Sequence, residues 1–97
     1  MVLEIADIRV QPGRGDDFAA AIRRAIETVL SKANGASNPR VHRCIENPDR
    51  FVLQIDWETL ENHTVDFRQG PLFAEWRAII GPFFAAPPLV EHFDLVR

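Results

Sequence analysis

The chain has 97 residues, 46% of them apolar, enough for one domain with a single modest core and no separate cofactor domain. Eleven basic residues against fourteen acidic ones leave a net charge of −3, spread along the chain, so a nonspecific grip on nucleic acid phosphates is not expected. Glu4 and Asp7 interrupt the opening apolar residues where a secretory leader needs an unbroken run, and no apolar run of roughly eighteen residues follows; the expectation is a cytoplasmic protein without membrane contact.

Residues 2 to 10 carry Val, Ile and Leu without a helix cap, and Pro12-Gly13 stops the run, which predicts a strand and a turn. From Asp16 or Asp17 the residues Phe18, Ile22, Ala25, Ile26, Val29, Leu30 and Ala33 recur on one helical face, and Asn34-Gly35 ends that helix. After a loop, Ala36 to Pro39, a strand is expected over Arg40 to Glu46, then a connection through Asn47-Pro48-Asp49-Arg50 to a strand over Phe51 to Glu58. In that last strand Phe51, Leu53, Ile55 and Trp57 share one side. Thr59 is placed to cap a short helix over Leu60 to Phe67 that turns His63 inward. After Gly70-Pro71 a second helix carries Leu72, Phe73, Trp76, Ile79, Ile80, Phe83 and Phe84, with Pro82 ending it early. Leu89 to Val96 is the final strand. The single Cys44 leaves no internal disulfide and reads as a small apolar strand residue.

The order strand, helix, strand, strand, helix, strand is the βαββαβ arrangement of ferredoxin-like α+β domains, an antiparallel sheet with both helices on one face, spanning residues 1–97 as a single domain. Leu3, Ile5, Leu53, Ile55, Leu89 and Phe93 are expected under the helices, leaving Val2, Ala6, Ile8, Val10, Val52, Val90 and Val96 on the other face. A second apolar face calls for a partner, and a two-fold homodimer packed sheet to sheet is the expectation. His42 and His92 alternate onto the side of Cys44 and Asp94, which reads as that interface, or as a place for structural hydrogen bonds.

The ordered set Asp56-Trp57-Glu58-Thr59, Glu61-Asn62-His63-Thr64, Phe67-Arg68, Leu72-Phe73, Glu75-Trp76-Arg77 and Val90-Glu91-His92-Phe93 resembles the antibiotic biosynthesis monooxygenase (ABM) family over almost the whole chain. The resemblance implies ferredoxin-like subunits pairing into a dimeric α/β barrel, each with a cleft between the second helix and the sheet. Among such proteins are cofactor-independent monooxygenases that convert polycyclic phenols to quinones, haem-degrading enzymes and small-molecule isomerases, and the fold does not choose among them. The haem-degrading branch uses an Asn on the first strand and a Trp and a His on the second helix. Asp7, Phe67 and Arg77 stand at the places judged equivalent, which argues against haem.

Quinone formation needs a flat apolar slot, a base for a phenolic proton and a group that stabilises the resulting anion. Trp57, Phe67, Phe73, Trp76, Phe83 and Phe84 supply aromatic walls for a small aromatic substrate, or simply a core. His63 is the preferred base, or an inward histidine with a structural hydrogen bond. Arg68 or Arg77 stabilises an oxyanion, or covers apolar surface with its stem. Asp7 orients His63 or acts as the base itself. No tyrosine is present, so no protein phenol takes part. His63 and Asp66, three apart on a helix, are too common a pair to define a metal site. The reading is a cofactor-independent monooxygenase without metal; the alternatives are a dimeric binding or stress-response protein and an isomerase or cyclase on the same scaffold.

Overall fold

The computed structural model describes all of residues 1–97. Strands β1 (Val2–Arg9), β2 (Ala36–Arg43), β3 (Arg50–Trp57) and β4 (Leu89–Phe93) form one antiparallel sheet in the order β2-β3-β1-β4, with helices α1 (Gly15–Thr28) and α2 (Pro71–Ile80). This is the ferredoxin-like α+β fold. Both helices pack on one face of the sheet and against each other. Phe18 of α1 is fully enclosed, its ring edge-on to Phe51 at 4.8 Å and to Phe83 at 5.8 Å. No helix is long and apolar enough to cross a membrane.

The phase of β1 corrects the expectation. Glu4, Ala6, Ile8 and Val10 lie beneath the helices, whereas Leu3 and Ile5 lie on the open face with Leu89 and Phe93 of β4. Both alternating sets of β1 contain apolar residues, so alternation alone does not orient the strand. Pairing with β3 does: Glu4 stands opposite Ile55, Ala6 opposite Leu53 and Ile8 opposite Phe51, and the inward set of β3 is unambiguous. The same inversion turns Val90 and His92 inward on β4. Val2 follows the inward set opposite Trp57, while Val96 lies exposed beyond the strand. Val52 and His42, paired across β2 and β3, do lie on the open face.

Other boundaries moved for local reasons. The loop expected over residues 36–39 is the start of β2, with an irregularity between Ser37 and Arg40 where Asn38 takes φ +48°; Asn38 and Pro39 mark a bulge in an edge strand instead of a loop. Helix α1 ends at Thr28, and a 3₁₀ turn over Leu30–Lys32 keeps Leu30 and Ala33 buried. Pro82 sits in a 3₁₀ turn, Gly81–Phe83, that finishes α2 as expected. Replacing Phe18 by Ala should lower the free energy of unfolding by about 3–5 kcal/mol in urea titrations, since the ring fills the junction of α1, β3 and the turn after α2.

Candidate active site

The connection from β3 to α2 shapes the cleft. Thr59 and Asn62 bond each other reciprocally: Asn62 N–H donates to Thr59 Oγ1 at 3.1 Å, and Thr59 N–H donates to Asn62 Oδ1 at 3.0 Å. Gly35, at φ +80°, lies so close to the Asn62 side chain that a Cβ there would collide with it. From this anchor, residues Asn62–Phe67 form a π-helical turn, with Arg68 N–H bonded to the His63 carbonyl five residues back at 3.0 Å. The turn buries His63 and Phe67 against the sheet. At the far end, the Ala85 N–H bonds the Arg9 carbonyl at 2.8 Å, so the segment after α2 is zipped to the end of β1 and Ala85 to Pro88 close one wall.

Between these elements lies a cavity of about 610 Å³. Its apolar walls include Ala6, Phe67, Phe73, Trp76, Ile80 and Phe84. Phe67 meets Phe73 edge-on at 5.7 Å and Trp76 edge-on at 6.1 Å, so these rings brace one another and leave the space free. Arg68 and Arg77 line the cavity and form no ion pair, although Arg77 also lies 5.9 Å from the centre of the Phe73 ring. Every other cavity-lining residue except Glu4 and His63 is uncharged.

Glu4 and His63 belong to one array of polar contacts. Trp57 Nε1–H donates to Glu4 Oε1 at 2.8 Å, and His63 Nε2 lies 3.4 Å from the same oxygen. His63 Nδ1 is 2.7 Å from His92 Nε2, close enough that the two rings share a proton. The indole of Trp57 stacks on the His63 ring at 4.9 Å and 14°. Burial lowers the pKa of His63 to about 4, helped by Arg68 and His92, so the imidazole is neutral at neutral pH. Burial, and then Arg68, lowers His92. Burial raises Glu4 against the opposing pull of the Trp57 hydrogen bond and of Arg68.

The cavity thus gathers His63, Arg68, Arg77, Phe67, Phe73, Trp76 and Phe84 from the expected set. Three expectations are corrected. Asp7 lies on the open face, where Arg50 grips it with bonds of 3.1 and 2.8 Å and Arg9 approaches to 3.4 Å; the Arg50 guanidinium holds its carboxyl below the usual range, and it has no part in orienting His63. Trp57 does not wall the cavity, because it lies fully buried beneath His63. Phe83 turns to Phe18, away from the cavity. Two residues of the array went unread. Glu4 counted only as a charge in the first strand, and His92 was assigned to the opposite face. The signal lay in their pairing, since Glu4 stands directly across from His92 and one phase serves both.

A ferredoxin-like α+β domain with an aromatic cleft between its second helix and sheet defines a class of small single-domain proteins whose chemistry the fold does not fix. The chain belongs to the antibiotic biosynthesis monooxygenase family, whose sequence profile matches residues 1–79. A solved structure of a family protein from Bordetella bronchiseptica is 47% identical with a TM-score of 0.92, covering 99% of this chain and 97% of that one. YczJ of Bacillus subtilis, an uncharacterised protein, is 34% identical over 94 residues, covering 97% of this chain and 98% of YczJ. The monooxygenase ActVA-Orf6 of Streptomyces coelicolor, solved with nanaomycin D, shares the fold with a TM-score of 0.80 at 16% identity, covering 97% of this chain and 86% of that one.

The array makes opposite demands on pH. The unfolded chain protonates its histidine near 6.5 while folded His63 resists until about 4, so its contribution to stability is present above 6.5 and lost as pH falls through that window. Folded Glu4 holds its proton above the ordinary 4.5, so its contribution is lost as pH rises from there. Urea titrations across this range should show a shallower acid-side loss for His63→Leu than for the native chain. In Glu4→Gln, the stability gained over the native chain should grow as pH rises above 4.5.

Proposed function

We propose that the protein is a cofactor-independent monooxygenase that oxidises a small phenolic aromatic to a quinone in this cleft. The observation that carries the reading is the cavity itself: about 610 Å³ between braced aromatic rings, with a buried carboxyl and imidazole on its floor and two unpaired guanidinium groups on its lining. Phe67, Phe73, Trp76 and Phe84 sandwich the flat substrate. The Glu4 and His63 array takes the phenolic proton, and Arg68 or Arg77 stabilises the phenolate oxygen. The electron-rich ring then reacts with dioxygen: one oxygen atom becomes the new carbonyl, the other leaves as water with the two displaced hydrogens, and the substrate supplies the electrons. No separate reductant enters that balance. The fold relative from Streptomyces coelicolor is a monooxygenase solved with the ligand nanaomycin D, which supports a small-molecule occupant for the cleft.

Metal-stripped protein incubated with dihydroxyarenes and anthrone-type phenols should form quinone in air and none under anaerobic conditions. His63→Ala should lower kcat by about 10²–10⁴-fold while substrate still binds. Product formation without oxygen would identify an isomerase or cyclase instead, and binding without turnover in either atmosphere would identify a binding protein.

The working unit in this reading is a homodimer joined through the open sheet face. Leu3, Ile5, Val52, Leu89 and Phe93 lie on that face, with Leu89 61% and Phe93 43% exposed, among ion pairs already closed within the chain: Arg50 with Asp7, and Arg40 with Asp56. Sedimentation analysis should find a dimer for the native chain, shifted to monomer by Phe93→Glu.

A further inference from the structure

We infer that Glu4 is the group that takes the substrate's proton, through its Oε2, and that His63 and His92 carry protons from it out of the cleft. The inference deepens the monooxygenase reading and rests on it. Glu4 is only 4% exposed, and its Oε1 is occupied by the Trp57 indole and His63. Oε2 has no protein partner, yet no buried side-chain polar atom in the molecule is both sealed and unbonded. Oε2 therefore keeps open surface, and Glu4 lines the cavity. His63 also lines the cavity, but its two ring nitrogens face Glu4 and His92, and one ring face is covered by Trp57. A phenol in the cleft finds its free acceptor on the carboxylate and not on the imidazole.

The route outward runs through one longer approach and one short contact. His63 Nε2 is 3.4 Å from Glu4 Oε1, and His63 Nδ1 is 2.7 Å from His92 Nε2. His92 is half-buried on β4, an edge strand, and does not line the cavity. The array thus joins the cavity floor to the outside of the cleft. In the first step the phenol O–H bond breaks, an O–H bond forms on Glu4, and the electron pair stays on the phenolate. A half-turn of the carboxyl about Cγ–Cδ then brings the protonated oxygen to His63 Nε2 and leaves the other to accept the Trp57 bond; His63 takes the proton as it passes its Nδ1 proton to His92 Nε2, and His92 releases its other ring proton to solvent. A proton is taken up again when the second oxygen atom leaves as water, so the turnover balances. The charged or titratable groups around Glu4 are His63 and Arg68 from the π-helical turn and His92 across from Glu4 on β4, with Arg77 from α2 elsewhere on the cavity lining; β3 contributes only Leu53, Ile55 and the Trp57 indole on this side. The desolvation that raises its pKa makes the ionised carboxylate a stronger base than an exposed one.

The test uses naphthol, whose neutral and anionic forms differ in absorption, with the native chain, Glu4→Gln and His92→Ala. Glutamine keeps an oxygen for the Trp57 bond, and thermal melting checks that it folds. The native chain should bind naphthol at neutral pH as the anion. Glu4→Gln should bind it as the neutral phenol, with similar affinity and with oxidation of a turned-over phenol reduced about 10²–10⁴-fold. His92→Ala should still bind the anion but turn over slowly, with the rate restored by added imidazole, which a merely structural loss would not allow. Anionic naphthol in Glu4→Gln with an unchanged pH profile overturns the inference and leaves the monooxygenase reading standing. Native chain that binds the anion, with the anion lost in Glu4→Gln, yet oxidises no phenol overturns the reading while keeping the assignment of Glu4 as proton acceptor. Native chain that binds neutral naphthol, or none, overturns the inference outright.

Discussion

A carboxyl group on the helix-covered side of a β-sheet is the constraint around which this small domain is organised. An isolated carboxylate in such surroundings is expensive, and Glu4 is tolerated because the Trp57 indole donates to it and His63 stands beside it. Satisfying Glu4 fixes Trp57 at the end of β3; Trp57 provides the surface on which His63 stacks; His63 requires a partner on its other nitrogen, which β4 supplies as His92. Three strands and the π-helical turn are thus tied together by one polar chain running through an otherwise apolar layer. Arg68 keeps positive potential over the array, favouring the neutral histidines and opposing the protonation of Glu4.

The cavity beside the array stays open because its walls lean on one another. Phe67 touches Phe73, Trp76 and Trp57, so collapse of any ring into the space would forfeit contacts with the others. Behind the Phe84 wall the aromatic Phe18 does the contrary, closing the gap between α1 and β3 completely. One domain thus holds a filled half and an open half under the same sheet.

The fold class was legible because β3 alternates cleanly, α1 repeats its apolar residues at helical spacing, and Pro-Gly pairs punctuate the chain. The position of the cleft was legible from the aromatic crowding of the second helical region. The orientation of β1 was not: its two faces, Leu3 with Ile5 and Ala6 with Ile8, are alike in apolar character, and only strand pairing separates them. That ambiguity displaced the site's acidic group to Asp7, an apparently isolated carboxylate that two arginines satisfy on the other face. It also sent His92 to the wrong side. The bulge in β2 was hidden for a different reason, since Asn38-Pro39 carries the same turn chemistry whether it ends a strand or kinks one.

That kink has a bearing on which contacts the sheet can offer to another chain. β2 and β4 are the two outer strands, and outer strands offer unpaired backbone groups to any passing chain. β2 has a proline, which lacks a donor, next to a residue in left-handed geometry, and β4 spans only five residues. Both rims are poor templates for strand addition. The molecule is thereby guarded against open-ended polymerisation along its hydrogen-bonding direction, which favours contacts made through side chains, where geometry can close an assembly at a finite size.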